Sequence, residues 1–311
     1  MSFLQRLPFR LALCFLLTGI GAISFPLVLA GVETPSHHST FSSPSALVNH
    51  VIIISLDGLR PDLLLQAETT NLKAVWQGGA FSWSAQTVFP SVTLPSHSSM
   101  LSGVTIAKHG MTWNTWEPSQ GFISVLTVFS IAHQAGLSTA AVVGKTKLQH
   151  LASPDVVDYF SIPGSEAEPI GQAAAKYFLT CRPAVMFVHF PDLDSAGHTY
   201  GWMSPEQFDA IRRVDQALTP LLSGLGTTHL LSQTLIIVSA DHGGHDRTHG
   251  TDLPADMTIP WIAFGARVKQ NYRIQTEIKT YDTAATTLFV LGLPIPESWD
   301  GRPITEAFMT S

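Results

Sequence analysis

The sequence predicts an α/β protein, a three-layer sandwich with a mainly parallel central sheet. Two observations carry that prediction. Short apolar runs, such as Val51-Ile52-Ile53-Ile54 and Leu235-Ile236-Ile237-Val238, alternate with longer amphipathic stretches. The two runs end abruptly in glycine-containing polar loops, Asp57-Gly58 and Asp241-His242-Gly243-Gly244. Continuous β-branched runs are strands buried on both faces, and strands alternating with helices imply parallel, right-handed crossovers. In such sheets ligands bind beyond the carboxyl ends of the strands.

In chain order, the strand 51–56 closes at Asp57-Gly58, and a helix over 63–77 is closed by Gly78-Gly79. Residues 80–93 hold a short strand and a turn at Pro90-Ser91, and a helix starts over 95–102 with Ser96 near its cap. The stretch 103–121, rich in Gly, Thr, Trp and Asn, reads as loop. A helix near 125–134, a strand at 139–143, a helix near 170–179 and a strand at 184–190 continue the alternation. Residues 191–201 read as a polar loop and 205–222 as a long amphipathic helix. Strands follow at 235–240 and 259–264, then a helix over 280–291 stopped by Gly292 and Pro294. No internal repeat is evident, and residues 49–311 read as one catalytic domain.

The chain has 311 residues, 45% hydrophobic and 13% charged, enough for a sizeable core. A net charge of −6 offers no basic stripe for nucleic acid. At the start, Arg6 and Arg10 precede an apolar run from Leu11 to Leu29 and the small-residue context Val28-Leu29-Ala30. These read as a signal peptide over 1–30, hence an exported protein, periplasmic or secreted, off the membrane once cleaved. Uncleaved, the same run is long enough to act as an anchor. Residues 31–48, rich in Ser, Pro and His, read as a linker. With Cys14 removed, Cys181 alone would remain, so no intramolecular disulfide is expected.

Four segments offer metal-ligand or nucleophile chemistry near predicted strand or helix ends. They are Asp57, Thr93 in Val92-Thr93-Leu94-Pro95, Asp194 with His198, and Asp241-His242 with His249. Each alone has a plainer reading: a helix cap for Asp57, a strand end for Thr93, a turn for 194–198, a histidine-rich surface turn for 241–250. Together they place carboxylates and imidazoles around one crevice, as two sets of candidate metal ligands. His245 is an alternative to His249 as a ligand. His97 reads as structural, and Asp192 and Asp246 as acceptors for ligating histidines.

These residues carry a family resemblance. Ser55-Leu56-Asp57-Gly58, Phe89 through His97, Leu101-Ser102-Gly103, His109-Gly110 with Asn114, Asp192 through His198, Ser239 through Gly243, Asp282-Thr283-Ala284 and Asp300-Gly301-Arg302-Pro303 stand in family order over nearly the whole chain beyond the signal. The chain resembles the alkaline phosphatase superfamily, most closely its type I phosphodiesterase/nucleotide pyrophosphatase branch. The resemblance implies an alkaline-phosphatase-like fold and two Zn2+ per chain. One would be held by Asp57, Thr93 Oγ1, Asp241 and His242, the other by Asp194, His198 and His249. It further implies Thr93 as nucleophile, a phosphothreonine intermediate, and Asn114 donating its amide to a phosphoryl oxygen. Asn114, between Trp113 and Trp116, also fits a turn.

Two departures qualify the resemblance. His249 follows His242 by seven positions, where larger members carry a long capping insertion, so nucleotide specificity is not carried over. Gly144-Lys145-Thr146-Lys147 follows a strand, and a similar Lys-x-Lys pair in phosphonoacetate hydrolase meets the substrate carboxylate. Lys145 and Lys147 are therefore candidate substrate-binding residues, or else solvated loop lysines. Sulfatase chemistry is disfavoured, because Thr93 cannot become formylglycine. The expected function is an exported two-zinc phosphoric-ester hydrolase of phosphodiesterase or nucleotide pyrophosphatase type, acting on a small phosphorylated substrate. Alternatives are a phosphomonoesterase or C–P hydrolase of the same fold, a phosphoethanolamine-type transferase, and a non-catalytic zinc- or phosphate-binding protein. Oligomeric state is not legible.

Overall fold

The computed structural model describes residues 46–309. The expected signal peptide lies outside the described residues, as does all but the end of the expected linker. The folded part reaches into that end: Val48 is buried, and Leu47 and Val48 both donate to the Val290 carbonyl.

Among the described residues, eight strands form one sheet. They are β1 (His50–Leu56), β2 (Ala80–Gln86), β3 (Thr139–Val143), β4 (Tyr159–Ser161), β5 (Val185–Phe190), β6 (Thr234–Ser239), β7 (Thr258–Gly265) and β8 (Tyr272–Arg273). Their order is β4-β3-β5-β1-β6-β7-β2-β8, parallel except where β7 runs against β6 and β2. Every residue of β3, β5 and β6 is buried, as is β1 after His50. That burial is why these runs show no polar alternation. The helices fall into two packed groups, and a member of each, Ala167–Cys181 and Val128–Gln134, lies on β3 and β5. The groups therefore cover the two faces, giving the expected layered α/β fold.

The topology positions the site. Parallel pairing aligns Ser55 of β1 with His189 of β5 and Ser239 of β6, so all three strands end at one edge. Asp57, Asp192 to His198 and Asp241-His242 leave that edge side by side. The β3 strand ends there too, at Gly144-Lys145, since Val143 pairs with His189.

Several expected elements are corrected. The helix expected over 63–77 is two, Pro61–Gln66 and Asn71–Gln77. Asp215 separates them by accepting from the N–H groups of Thr70 (3.0 Å), Asn71 (3.2 Å) and Leu72 (2.7 Å), satisfying the first turn of the second helix. The helix expected from Pro95 begins at Thr93, with Val92 extended as its cap. Pro95 is tolerated there because the first turn needs no intrahelical N–H. Residues 191–201 are not a loop but the helix Asp192–Tyr200. Two aspartates in its first turn suit the helix dipole, and the polarity that suggested a loop serves the site. The long helix 205–222 breaks into Pro205–Ala217 and Thr219–Thr227, with Pro220 starting the second. The short strands β4 and β8 carried too little pattern to be read.

Candidate active site

The first cluster of ligand atoms is fully buried. Asp57 follows β1 and Asp241-His242 follow β6, and none of the three is exposed. His242 Nε2 lies 3.4 Å from Asp57 Oδ1 and 3.2 Å from Asp241 Oδ2. His242 Nδ1 donates to the Gly243 carbonyl at 2.8 Å, so Nε2 carries the lone pair. Asp57 Oδ1, Asp241 Oδ2 and His242 Nε2 thus converge as acceptors with no hydrogen-bond partner among the described residues. Buried acceptors that face one another are costly unless a cation joins them. Their separations match the edge of a tetrahedron built on 2.0–2.1 Å zinc bonds, about 3.3–3.4 Å. The residues present therefore fit a metal.

The second cluster repeats the pattern nearer solvent. Asp194 and His198 are one helical turn apart on a shared face. Asp194 Oδ1 stands 3.3 Å from His198 Nε2 and 3.5 Å from His249 Nε2, and it too lacks a hydrogen-bond partner among the described residues. His198 Nδ1 donates to the Arg247 carbonyl (3.0 Å) and His249 Nδ1 to the Ser91 carbonyl (2.9 Å), again turning Nε2 toward the carboxylate. Burial pushes His249 down to about 4, aided by His242, so its imidazole is neutral near pH 7 and suited to a metal. Burial and the Asp57 charge work against ionised Asp194, yet the adjacent His198 and the Lys145 ammonium hold it at about 2. The His242 and His249 rings stack at 3.7 Å, joining the two clusters in one crevice.

Thr93 opens the helix Thr93–Ser102 and is 1% exposed. Its loop is tied to both clusters. Ser91 holds His249, while His97 Nδ1 donates to the Thr93 carbonyl at 2.8 Å and lies 3.5 Å from Asp241 Oδ2. Ser55 Oγ donates to His97 Nε2 at 2.7 Å. Burial holds His97 well below the usual histidine range, in keeping with its structural reading. Asn114 sits beside this helix start: its Oδ1 accepts from the Leu94 N–H (3.0 Å) and from Lys147 Nζ (3.2 Å). The planar amide therefore turns its NH2 away from them, available to donate.

The remaining expected residues are placed less as the sequence suggested. Lys145 Nζ donates to Asp57 Oδ2 (2.7 Å) and Asp194 Oδ2 (2.6 Å), one ligand residue from each cluster. Burial alone would lower its pKa, but those two carboxylates hold it above the usual lysine range. Burial and the neighbouring Lys145 charge push Lys147 down. His245 is outside both clusters: its Nδ1 pairs with Asp256 Oδ1 at 2.7 Å, while Asp256 Oδ2 accepts from Thr251. Asp192 and Asp246 do not support the histidines as expected. Asp192 Oδ1 accepts from the Ala167 N–H, and the three imidazoles are oriented by backbone carbonyls, which residue identity does not reveal.

Two residues escaped the sequence reading. His189 on β5 donates Nε2–H to Asp57 Oδ2 at 2.9 Å and accepts the Gly144 N–H on Nδ1 at 3.3 Å. A histidine inside the apolar run 185–190 was the available signal. Trp202 donates Nε1–H to the Gly58 carbonyl (2.9 Å) and sets its ring 5.2 Å from His198 and 5.9 Å from His249. Gly197 and Gly244 make room for it, since an added Cβ would meet the ring at 2.8 and 2.1 Å. Trp202→Ala should cost about 3–5 kcal/mol of stability by chemical denaturation and loosen both histidines, weakening metal binding at the second cluster in a competition titration.

Residues 51–253 match the family described as type I phosphodiesterase / nucleotide pyrophosphatase. An uncharacterized pyrophosphatase/phosphodiesterase of Schizosaccharomyces pombe is 26% identical over 243 residues, 71% of this chain and 48% of that protein. Mouse ectonucleotide pyrophosphatase/phosphodiesterase family member 7 is 21% identical over 224 residues, 65% of this chain and 51% of that one. The chain thus spans about half the length of these relatives. Among solved structures, murine ectonucleotide pyrophosphatase/phosphodiesterase 5, an inactive variant in complex with AMP, superposes with a TM-score of 0.70 at 16% identity, covering 84% of this chain and 100% of that one. That likeness establishes the shared fold.

Proposed function

Since the chain belongs to the type I phosphodiesterase/nucleotide pyrophosphatase family, we propose that it is an exported two-zinc phosphoric-ester hydrolase of phosphodiesterase or nucleotide pyrophosphatase type, with Thr93 as its nucleophile. The observation that carries this reading is the pair of ligand-atom clusters, each with unpartnered acceptors at zinc-like spacing, flanking a threonine at a buried helix start.

Asp57, Thr93 Oγ1, Asp241 and His242 would hold one zinc, and Asp194, His198 and His249 the other. Bound there, the ions would supply Lewis-acid charge for the phosphoryl oxygens and lower the pKa of the Thr93 hydroxyl. Thr93 Oγ1 attacks phosphorus in line with the leaving oxygen, giving a phosphothreonine and an alcohol. Water then attacks the same phosphorus, releasing phosphate or a phosphate monoester and restoring the hydroxyl. The Asn114 NH2 and the Thr93 backbone N–H donate to the phosphoryl oxygens as charge develops. The short 243–248 segment between His242 and His249 leaves the crevice without a cap, which favours tolerance of varied leaving groups.

A rate comparison tests the substrate class. The zinc-loaded protein should hydrolyse bis-p-nitrophenyl phosphate and the p-nitrophenyl ester of thymidine monophosphate orders of magnitude faster than p-nitrophenyl phosphate or phosphonoacetate. The positive charge of Lys145 and Lys147 supports a second reading, a phosphomonoesterase or C–P hydrolase, and the reverse order of rates would establish it. No helix among the described residues is long and apolar enough to cross a membrane. Export is tested by sequencing the amino terminus of the protein recovered from its producing cells, with cleavage after Ala30 expected.

A further inference from the structure

We propose that Lys145 is the built-in counter-ion of the metal centre: a positioning residue that binds the Oδ2 oxygen of one aspartate from each cluster and leaves the two Oδ1 oxygens for metal. The inference rests on the metal-centre reading above. Three buried carboxylates, Asp57, Asp194 and Asp241, meet here, and the Lys145 ammonium is in direct contact with two of them. The division of oxygens is consistent. Asp57 Oδ2 receives Lys145 and His189, while Asp57 Oδ1 receives no hydrogen bond among the described residues. Asp194 Oδ2 receives Lys145, while Asp194 Oδ1 faces His198 and His249. One side chain thereby spans both clusters and selects the metal-facing oxygen in each.

The support for Lys145 is rigid. Gly144 is seated so closely on Pro191 that an added Cβ would lie 2.4 Å from its ring, and the Gly144 N–H orients His189. The lysine thus enters from the end of β3 at a set height above the strand ends. Its charge then acts differently in the two states of the protein. Without metal, it neutralises carboxylates that would otherwise repel one another inside the protein. With metal bound, the same ammonium repels both cations. It keeps the metal-free protein folded in its metal-ready form and weakens metal retention.

The test compares the full-length protein with Lys145→Met, a similar volume without charge, each stripped by chelator and each zinc-loaded. Removing one partner of a buried charge group should lower the melting temperature of the metal-free variant by about 10 °C or more. The zinc-loaded variant should recover most of that loss. By linkage it must then bind zinc more tightly, by about ten-fold or more in a chelator competition. In Lys145→Met/Asp194→Asn, loss of one carboxylate should restore much of the metal-free melting temperature, which simple loss of packing would not do. Equal destabilisation with and without zinc, or no rescue by Asp194→Asn, would overturn the inference. So would an unchanged metal-free melting temperature with a raised KM, which would make Lys145 a substrate contact only. A wild-type protein that zinc does not stabilise would instead overturn the metal-centre reading, whatever Lys145 does in the metal-free form.

Discussion

Thr93→Ala is expected to lower turnover by roughly 10³-fold or more while leaving most of the bound zinc in place. The asymmetry follows from the geometry. Thr93 contributes one hydroxyl at a helix start, whereas each cluster of candidate ligands keeps a carboxylate and imidazole set that does not involve it. The helix does not depend on the hydroxyl either, since the Thr93 carbonyl, not its side chain, accepts from His97. Rates on a chromogenic diester, paired with zinc content by elemental analysis, check the prediction. Turnover that survived with both metals in place would refute the nucleophile assignment. A protein that binds zinc but shows no turnover even with Thr93 intact would be a binding protein instead. Transfer of the phosphoryl group to an added alcohol in preference to water would identify a transferase.

The second large effect separates two histidines four residues apart. His249→Ala should abolish tight binding of one zinc equivalent, weakening it by more than the roughly 100-fold typical of losing a residue that merely orients a ligand, and activity should fall with it. His245→Ala should leave both zinc equivalents bound and reduce stability modestly, because His245 serves Asp256 and the closure of its own loop. Zinc stoichiometry by equilibrium dialysis distinguishes the outcomes. Loss of a zinc equivalent from His245→Ala, with His249→Ala intact, would exchange their roles.

Much of the fold was legible because it rests on local pattern. The runs at β1, β3, β5 and β6 are buried on both faces, so their residues are apolar throughout and their ends are abrupt. Asp57 and Asp241 follow β1 and β6 closely and Asp194 lies in the first turn of the helix after β5, so their convergence could be expected from a parallel sheet. The helix Asp192–Tyr200 was missed for the opposite reason. Its polar side chains serve a site rather than a core, and periodicity reads only the core-facing face of a helix.

The amino-acid sequence alone determined the fold class, the candidate ligands Asp57, Asp194, His198, Asp241, His242 and His249, and the candidate nucleophile Thr93. Chemistry of that kind depends on residue type, and residue type is what a sequence states. Only the tertiary structure decided which atom of each residue is free. It turned Nε2 of three histidines inward by giving Nδ1 to the carbonyls of Gly243, Arg247 and Ser91. It drew His245 away to Asp256, and it laid Lys145 across Asp57 and Asp194 rather than leaving it free for solvent. The physical reason is that these choices are made by backbone carbonyls and by charges from distant strands, whose positions depend on packing and leave no local mark in the chain.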